Sequence, residues 1–317
     1  MTAARRGKPL FSCIIPAYNR ASMLPAAVES ALNQDFPESE REIIVVDDAS
    51  TDDTPGVLRR YGDKIRVLRH AVNRGQGEAQ HTAILAARGE IIAGLDSDDV
   101  WLPRKLSRVA EAFGRFKNAV LVTHQVRWVD RSLRRIKKDK GVPCIQKDRL
   151  IDSRSESILH FSRDKGVLYG PLPALGGGSA WAAKKSPLIK GLQHGRPPPM
   201  NPEQFYFYLA LADGGAVAVL SERLGLYRRH RGNSISWNPS GVQERLKLLE
   251  IGESPCLRAL EVLDPARCPS LAKDLRAMAR RRTAETLLLK SRAGKPVSAE
   301  APREKYFSSQ TRRQIKR

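Results

Sequence analysis

Three aspartates in four residues, at 96–99, directly follow the apolar run 91–95. If that run is a strand, Asp96 and Asp98 point to the same side, because side chains alternate along extended backbone. Adjacent carboxylates repel unless a cation lies between them, and Mg²⁺ or Mn²⁺ binds one or two carboxylates together with substrate phosphates. Capping of the following helix by Asp98 or Asp99 is the alternative, but it explains one aspartate rather than three. The cluster therefore favours a metal–phosphate site.

Polar residues also follow three other apolar runs. In open parallel sheets ligands bind where the strands end, so these residues are candidates to meet at one edge. Asp48 has the chemistry to accept a hydrogen bond from the N–H of a base such as uracil, and Tyr18 has a ring to pack on that base. Equally, Ser50 and Asp53 fit a turn and capping pattern, and Tyr18 is able to fill the sheet edge. The three segments are 16–20, 47–50 and 73–75.

The elements that must position these residues alternate along the first 130 residues. Thr54 is the expected N-cap of the second helix, with Pro55 at its first position. Near-continuous apolar strands separated by helices predict an α/β fold, with a mostly parallel sheet and helices on both faces. The predicted strands are 11–15, 42–46, 65–69, 91–95 and 120–128, and the predicted helices are 22–33, 54–61, 76–87 and 103–116.

The rest of the chain is less regular and contains no internal repeat. Residues 127–149 hold nine Lys or Arg and three Asp with little apolar periodicity, which predicts a solvated loop or ribbon. From residue 242 onward the apolar spacing is helical. The other predicted elements are Gly- and Pro-rich turns at 168–179 and 195–202, a helix at 204–212, a strand at 216–220, a last helix at about 270–290 and a basic tail.

The charge of the chain points to an anionic partner. Its 317 residues include 55 Lys and Arg against 34 Asp and Glu, which gives a net charge of +21 and a pI near 10.2. Nucleic acid, an anionic bilayer surface and a phosphate-rich ligand all fit such a charge. The excess is uneven, because residues 127–149 and 267–317 contribute +6 and +11 of it.

Other classes are excluded or disfavoured. No apolar run is long enough for a membrane-spanning helix, and the short run near the start, interrupted by Pro16 and Asn19, is a poor signal peptide. The four cysteines lie far apart and form no CxxC pair, which argues against a zinc site and favours reduced thiols in a cytoplasmic protein. No GxGxxG follows the first strand, so a Rossmann dinucleotide site is not supported.

Taken together, four segments resemble the N-terminal half of a glycosyltransferase family 2 enzyme with the GT-A fold. They are FSCIIPAYNR, EIIVVDDASTDDT, NRGQGEA and GEIIAGLDSDD. Further along, residues 226–230 are similar to the Tyr-Arg-x-His element that closes this domain. The resemblance implies a GT-A domain at 10–237, with a nucleotide-sugar half at 10–126 and an acceptor half at 127–237, followed by a basic helical extension and tail at 238–317.

The resemblance also implies roles for single residues. Asp48 would face the base N–H, and Asp96 and Asp98 would form the DxD motif beside the ribose and the metal-bound diphosphate. Arg228 and His230 would approach the diphosphate from the far side. The implied nucleotide-sugar residues are Pro16, Ala17, Tyr18, Arg20, Asp47, Asp48, Arg74, Asp96, Ser97 and Arg228. The implied ligands of Mn²⁺ or Mg²⁺ are Asp98, Asp96, Asp99 and His230.

The family's catalytic base is usually the Asp of a Glu-Asp pair about two dozen residues before the closing Tyr-Arg. Counting back from Tyr227 gives Pro202 and Glu203, so Glu203 would hold the base position. Its longer arm departs from the family pattern, and a misplacement of about 1 Å costs roughly a hundredfold in rate. The alternative is an ordinary acid at a helix N-terminus. A second departure is Gln80-His81, where the family often has Arg-Asn; His81 is expected on a helix face.

The resemblance therefore implies an inverting glycosyltransferase that moves a sugar to a hydroxyl of a glycan or lipid-linked acceptor. UDP is the nucleotide expected from the family, and cell-envelope polysaccharide synthesis is the expected process. Residues 176–178 either let substrate approach the backbone or form a turn, and Trp181 either stacks on a sugar or packs in the core. The basic segments are expected to hold a cytoplasmic enzyme on the inner membrane face; a solvated basic surface is the alternative.

Two other functions remain open from the sequence. A nucleic-acid-binding protein fits the charge, but only 6% of residues are aromatic and no nucleic-acid motif is present, so no specific nucleic acid is expected. A catalytically inactive relative that only binds nucleotide sugar is favoured by the departures at Glu203 and Gln80-His81 alone.

Overall fold

A computed structural model describes residues 9–136, 146–152, 177–193, 195, 197–198, 202–212, 214–230 and 233, and scattered positions between 246 and 286. The predicted tail after about residue 290, residues 137–145 of the basic segment and residues 168–176 of the predicted Gly- and Pro-rich turn lie outside these described residues.

Residues 11–129 form the predicted alternation of strands and helices. The predicted N-cap is off by one residue, because Asp53 occupies that place and Thr54 begins the helix. The Thr54 hydroxyl instead accepts the N–H of Arg20 at 2.9 Å, which ties the helix to the end of the first strand. The elements are β1 (Phe11–Ala17), α1 (Leu24–Leu32), β2 (Arg41–Asp47), α2 (Thr54–Arg59), β3 (Arg66–Arg69), α3 (Gln76–Ala86), β4 (Ile91–Gly94), β5 (Val100–Trp101), α4 (Lys105–Arg115) and β6 (Ala119–Val129).

Between residues 149 and 228 the described residues add three strands and two α-helices. The strand predicted at 216–220 continues to Arg228, and the helix predicted at 204–212 begins at Pro202. Of the basic segment 127–149, the first three residues extend β6 and residues 130–136 form a turn that leads back along it. The elements are β7 (Arg149–Asp152), β8 (Trp181–Lys184), α5 (Lys185–Leu192), α6 (Pro202–Ala212) and β9 (Ala216–Arg228).

All the strands join one sheet in the order β3-β2-β1-β4-β8-β6-β9-β5, with β7 also paired to β9. The expected parallel pairing holds for β3, β2, β1 and β4. Beyond β4 the sheet is mixed, because β8 is antiparallel to both of its neighbours and β6 is parallel to β9. Since β8 is antiparallel to both neighbours, the carboxyl ends of β1, β2, β4, β6 and β9 share one edge, which we call the catalytic edge.

Helices cover both faces of this sheet, as predicted. One buried cluster packs α3, α5 and α6 on the sheet, and the other packs α1 and α4 on its opposite face. Buried positions between 259 and 275 join the first cluster, and every described position from 271 to 286 is helical. These buried positions of the C-terminal extension therefore belong to the cluster that also contains α6. Among the described residues no helix combines the length and the apolar character that crossing a membrane requires.

Candidate active site

Three carboxylates cluster at the catalytic edge where β4 ends. Asp96, Asp98 and Asp99 each place an oxygen within 4.8 Å of the others. Strand β4 fixes the start of the cluster, because Leu95 N–H still bonds Ile14 of β1 before the chain turns. Such crowding favours a cation, because the carboxylates otherwise repel one another. The predicted acidic cluster is thus formed by three side chains at one point of the sheet edge.

Asp99 is the most firmly held of the three. It is buried, the Ser179 hydroxyl donates to its Oδ2 at 2.6 Å, and the Arg228 N–H donates to its Oδ1 at 2.8 Å. Burial and the nearby Asp98 raise the pKa of Asp99 to about 8. Both of its oxygens already accept hydrogen bonds, so Asp99 joins β9 and the turn at residues 177–179 to the cluster.

Asp98 lies between an arginine and a histidine. Arg20 Nε lies 3.4 Å from its Oδ2, and His230 Nε2 lies 3.0 Å from the same oxygen. Burial tends to raise the pKa of Asp98, but the hydrogen bond with His230 and the charge of Arg20 outweigh it and hold that pKa below its ordinary value. Asp98 is therefore the carboxylate of the cluster that most readily stays ionised.

Asp96 lies against the short turn Gly177–Ser179. Gln76 Nε2 donates to its Oδ1 at 2.7 Å, and its own N–H donates to the Ser179 hydroxyl at 2.9 Å. Burial and the charges of Asp99 and Asp98 raise its pKa well above the ordinary value. Gly178 packs directly on the carboxylate, so a side chain at this position has no room.

Gly178→Ala is expected to lower turnover up to about a hundredfold, because a Cβ there falls 2.7 Å from Asp96 Cγ and must displace that carboxylate. Initial rates of nucleotide release measure the effect. Gly114→Ala is the matched control: nothing lies within 4 Å of a Cβ at Gly114 in α4, so this variant keeps full activity and gains about 0.5 kcal/mol of stability. Equal rates in the two variants contradict the close packing of Gly178.

A buried lysine, which the sequence does not predict, binds the backbone next to the acidic cluster. Lys105 Nζ donates to the carbonyls of Ser179 at 2.9 Å and Gly94 at 3.3 Å and lies 3.8 Å from the centroid of the Trp101 ring. Trp101 Nε1 donates to the same Ser179 carbonyl at 2.9 Å. Burial lowers the pKa of Lys105 well below its ordinary value. In the sequence Lys105 looks like an ordinary lysine at the start of an amphipathic helix, so nothing there indicates that it is buried.

Asp48 organises the loop after β3. It accepts the N–H groups of Arg74 at 2.9 Å and Gly75 at 2.7 Å, and His70 Nδ1 lies 2.6 Å from its Oδ1. These contacts fix the loop that carries Arg74 at the catalytic edge. His70 is a second residue that the sequence does not predict. The neighbouring Asp47 accepts the N–H of Ser50 at 2.9 Å, as the turn interpretation predicts.

The chain after β1 presents an exposed ring. Pro16 and Ala17 are buried in β1, whereas Tyr18 remains 43% exposed and does not fill the sheet edge. Asn19 adopts a left-handed conformation, with φ of 52°, and its Oδ1 accepts the Thr51 N–H at 2.8 Å. This bond holds the β1 and β2 loops together and leaves the Tyr18 ring facing outward.

The remaining predicted residues lie nearby or pair locally. Arg74 Nη2 forms an ion pair with Glu78 at 3.0 Å, and Ser97 is buried within the acidic turn. Arg228 is buried, and its Nε and Nη2 have no hydrogen-bond partner among the described residues. Burial lowers the pKa of Arg228. Unpartnered buried guanidinium donors suit an anionic ligand, since the desolvation of each is otherwise uncompensated.

Glu203 occupies the second position of α6, with its Oε2 buried and without a partner among the described residues. Burial raises its pKa to about 7, although a backbone hydrogen bond opposes the change. Its charge also contributes to the raised pKa of Asp96. A desolvated carboxyl with a pKa near neutrality has the properties of a general base.

Trp181 is a core residue rather than a sugar-stacking ring. It is 3% exposed, and its ring centroid lies 5.0 Å from that of Tyr206 in α6. Gly177 and Gly178 lie in the short helical turn that contacts Asp96, as expected if these glycines form a turn.

Comparison with known proteins decides the family. A family model described as Glycosyl transferase family 2 matches residues 12–186, more than half of the chain. The chain belongs to glycosyl transferase family 2. An uncharacterized glycosyltransferase of Nostoc is 32% identical over 252 residues, which cover 74% of this chain and 69% of that relative. The protein is therefore a family 2 glycosyltransferase.

Solved structures support the GT-A fold of this family 2 chain. Staphylococcus aureus TarS, residues 1–349 in complex with UDP-GlcNAc, superimposes with a TM-score of 0.60 at 17% identity, covering 88% of this chain and 81% of that one. The TarS sequence, named a poly(ribitol-phosphate) beta-N-acetylglucosaminyltransferase, matches at 36% identity over 32% of this chain and 18% of TarS. The mannosyltransferase PcManGT from Pyrobaculum calidifontis, in complex with GDP-Man and Mn²⁺, superimposes with a TM-score of 0.53 at 16% identity. The match covers 97% of this chain and 81% of PcManGT.

Proposed function

We propose that this chain transfers a sugar, with inversion, from a UDP-linked donor to a hydroxyl of a glycan or lipid-linked acceptor on the cytoplasmic membrane face. Glu203 carries the proposal: its Oε2 is buried and has no hydrogen-bond partner among the described residues, and burial raises its pKa to about 7. The donor belongs to residues 10–126, the acceptor to 127–237, and residues 238–317 form a basic extension.

Glu203 is the proposed base. As the acceptor hydroxyl attacks the anomeric carbon, Glu203 Oε2 takes its proton and the bond to the nucleotide diphosphate breaks on the opposite face. One base and no enzyme nucleophile give inversion in a single step. The raised pKa supports this role, because a base near neutrality combines a useful deprotonated fraction with sufficient proton affinity.

The acidic cluster fits a hard divalent cation. Its three carboxylates lie within 4.8 Å of one another, and burial together with their mutual repulsion raises the pKa values of Asp96 and Asp99. Asp98 and Asp96 are the proposed ligands, with Asp99 and His230 as further candidates, and PcManGT offers a precedent in Mn²⁺. When bound, Mn²⁺ or Mg²⁺ neutralises charge on the leaving diphosphate.

Basic and polar groups around the cluster complete the donor site. Arg228 offers buried donors, unpartnered among the described residues, that suit a phosphate, and Arg20 beside Asp98 adds positive charge. Tyr18 offers an exposed ring for the base, and Asp48 fixes the loop of Arg74 beside it. Pro16, Ala17, Asp47 and Ser97 shape the backbone around them. UDP is favoured over other nucleotides by the family and by TarS, whose structure holds UDP-GlcNAc.

The alternatives have less support. Nucleic-acid binding leaves the buried base and the carboxylate cluster without a role, and the relatives described above are named as transferases. An inactive nucleotide-sugar binder requires Glu203 to be structural, whereas its buried Oε2 has no hydrogen-bond partner among the described residues and buried polar atoms with a structural role are normally paired.

Purified protein offered UDP-, GDP- and dTDP-sugars is expected to release nucleotide slowly with Mn²⁺ or Mg²⁺, with water as the acceptor. EDTA is expected to abolish this release and added Mn²⁺ to restore it, because without the cation the diphosphate leaves with its charge uncompensated. A coupled assay for free nucleoside diphosphate follows the rate. Release that is unchanged in EDTA contradicts the metal site, and no release from any donor contradicts the transferase.

A further inference from the structure

A basic hairpin at residues 128–136 lies at the carboxyl end of β6, on the catalytic edge. Asp130 builds its turn: Asp130 Oδ1 accepts the N–H groups of Ser132 and Arg134, each at 2.9 Å, and Asp130 N–H donates to the Arg134 carbonyl at 2.9 Å. The return arm pairs with β6, since Ile136 N–H donates to the Trp128 carbonyl at 3.2 Å. The hairpin is thus held by backbone hydrogen bonds together with two that the Asp130 side chain accepts.

The tip of this basic hairpin displays a leucine. Leu133 is 37% exposed and has a φ of 64°, a left-handed conformation that disfavours branched and bulky residues. Asn or Gly meets that geometry more easily, so a leucine there keeps an apolar side chain on the surface at a conformational cost. An exposed apolar residue at the end of a built turn suits insertion into an apolar phase.

Five arginines lie on the hairpin or next to its base. The exposed residues are Arg127, Arg131, Arg134, Arg135 and, directly after β9, Arg229. Among the described residues none of these five forms an ion pair with a carboxylate, and the one nearby acid, Asp130, is used by the turn. The sequence continues at 137–140 with three lysines and one aspartate. The hairpin therefore concentrates positive charge that the described part of the protein does not neutralise.

Aromatic rings lie at the base of the hairpin. The Trp128 and Tyr227 ring centroids are 5.9 Å apart, and the Arg229 guanidinium lies 5.3 Å from the Trp128 ring. Tryptophan, tyrosine and arginine together are typical of the boundary between lipid headgroups and acyl chains. Since Arg228, next along β9, contacts Asp99 through its N–H, this surface adjoins the acidic cluster.

We propose that the basic hairpin docks the catalytic edge onto an anionic lipid bilayer, with Leu133 entering the headgroup region and the arginines binding lipid phosphates. This inference rests on the proposed transfer to a membrane-linked acceptor and names the residues that bring the site to it. An exposed leucine favours a bilayer over a nucleic acid, which offers phosphates and stacking bases but no apolar layer.

Sedimentation of the full chain with phosphatidylglycerol-containing vesicles tests the proposal, with pure phosphatidylcholine vesicles for comparison. The triple variant Arg131→Gln, Arg134→Gln, Arg135→Gln is expected to bind anionic vesicles about a hundredfold more weakly, at about fivefold per arginine. The triple variant Arg59→Gln, Lys64→Gln, Lys117→Gln is the matched control, because it removes the same charge from exposed residues outside the hairpin. Equal affinity of the two triple variants overturns the proposal.

Leu133→Asn separates a bilayer from a polyanion. Asparagine accepts a positive φ, so the turn survives, and vesicle affinity is expected to fall about fivefold while RNA affinity is unchanged. Leu85→Gln, at an exposed leucine of α3, is the control and is expected to bind vesicles as the wild type does. Wild-type vesicle binding by Leu133→Asn overturns the proposal in favour of a plain polyanion-binding patch.

Nucleotide release in solution distinguishes a failure of membrane docking from a failure of the proposed transferase activity. All hairpin variants are expected to release nucleotide from the donor sugar at the wild-type rate, because the hairpin belongs to the acceptor side. Release without vesicle binding by the wild type refutes the docking role alone. Vesicle binding without release from any donor refutes the transferase and leaves the hairpin result standing.

Discussion

Glu203→Gln is expected to lower kcat about a thousandfold and to leave KM for the donor sugar unchanged. The amide keeps the size and the position of the carboxyl but accepts no proton, and a positioned base contributes about 10²- to 10⁴-fold to such a step. An effect on kcat without one on KM identifies an interaction made in the transition state. Steady-state transfer rates, or nucleotide release where no acceptor is at hand, give both constants.

The pH profile provides an independent test of the same residue. Burial raises the pKa of Glu203 to about 7, and a base must be deprotonated to act. We therefore expect kcat to fall about tenfold per pH unit below 7 and to reach a plateau above it. An ordinary exposed glutamate would place this limb near its unperturbed pKa of about 4.3. A flat profile between pH 5 and 7 contradicts the assignment.

Two further variants show that the effect belongs to this carboxylate. Glu203→Asp retains a base but withdraws it by one methylene, so an intermediate loss of up to about a hundredfold is expected. Glu38→Gln removes an exposed glutamate in a turn far from the catalytic edge and is expected to be silent. Wild-type turnover in Glu203→Gln would show that another group removes the acceptor proton.

Local pattern is sufficient to predict the elements that end at the catalytic edge. Strand β4 and the acidic residues after it are contiguous, so period-two alternation and residue type together indicate the cluster. The same holds for β1 and β2, whose buried runs end at polar residues. Each of these predictions depends on residues that are neighbours along the chain.

Long-range contacts are not accessible in this way. The Ser179 hydroxyl accepts the N–H of Asp96, 83 residues away in sequence, and the carbonyl of Ser179 accepts from Lys105. Strand β8 is only four residues long and lies in a Gly-rich region, so neither its existence nor its place between β4 and β6 follows from periodicity. These partners meet only when the sheet has formed.

Strand β9 shows why one predicted boundary is wrong by eight residues. The apolar run stops at Leu220, which predicts the end of the strand there, but the strand continues to Arg228. Its register against β6 moves from His124–Leu220 to Gln125–Arg223, so two residues of β9 are unpaired in a bulge. A bulge breaks the alternation on which the prediction depends, while it bends the strand that delivers Arg228 to the acidic cluster.

Asp98→Asn is expected to abolish measurable Mn²⁺ binding and to lower nucleotide release about a thousandfold, while leaving the thermal midpoint almost unchanged. Asp98 is the carboxylate of the cluster whose pKa is lowered, and the metal that it is proposed to hold stabilises the leaving diphosphate by several kcal/mol. The amide oxygen still accepts a hydrogen bond from His230, so the fold loses little. Titration with Mn²⁺ in the absence of donor measures the site without reference to turnover.

Asp99→Ala is the informative contrast, because Asp99 has a different set of contacts. It joins Ser179 and the Arg228 N–H to the cluster through both oxygens, and leaving these buried donors unpaired costs about 2 kcal/mol. Thermal unfolding at pH 7 is therefore expected to show a lower midpoint for Asp99→Ala than for Asp98→Asn. Tight Mn²⁺ binding by Asp98→Asn would contradict the proposal that Asp98 binds the cation while Asp99 makes the structural hydrogen bonds. If instead both variants lost stability equally, the acidic cluster would be a structural unit rather than a metal site.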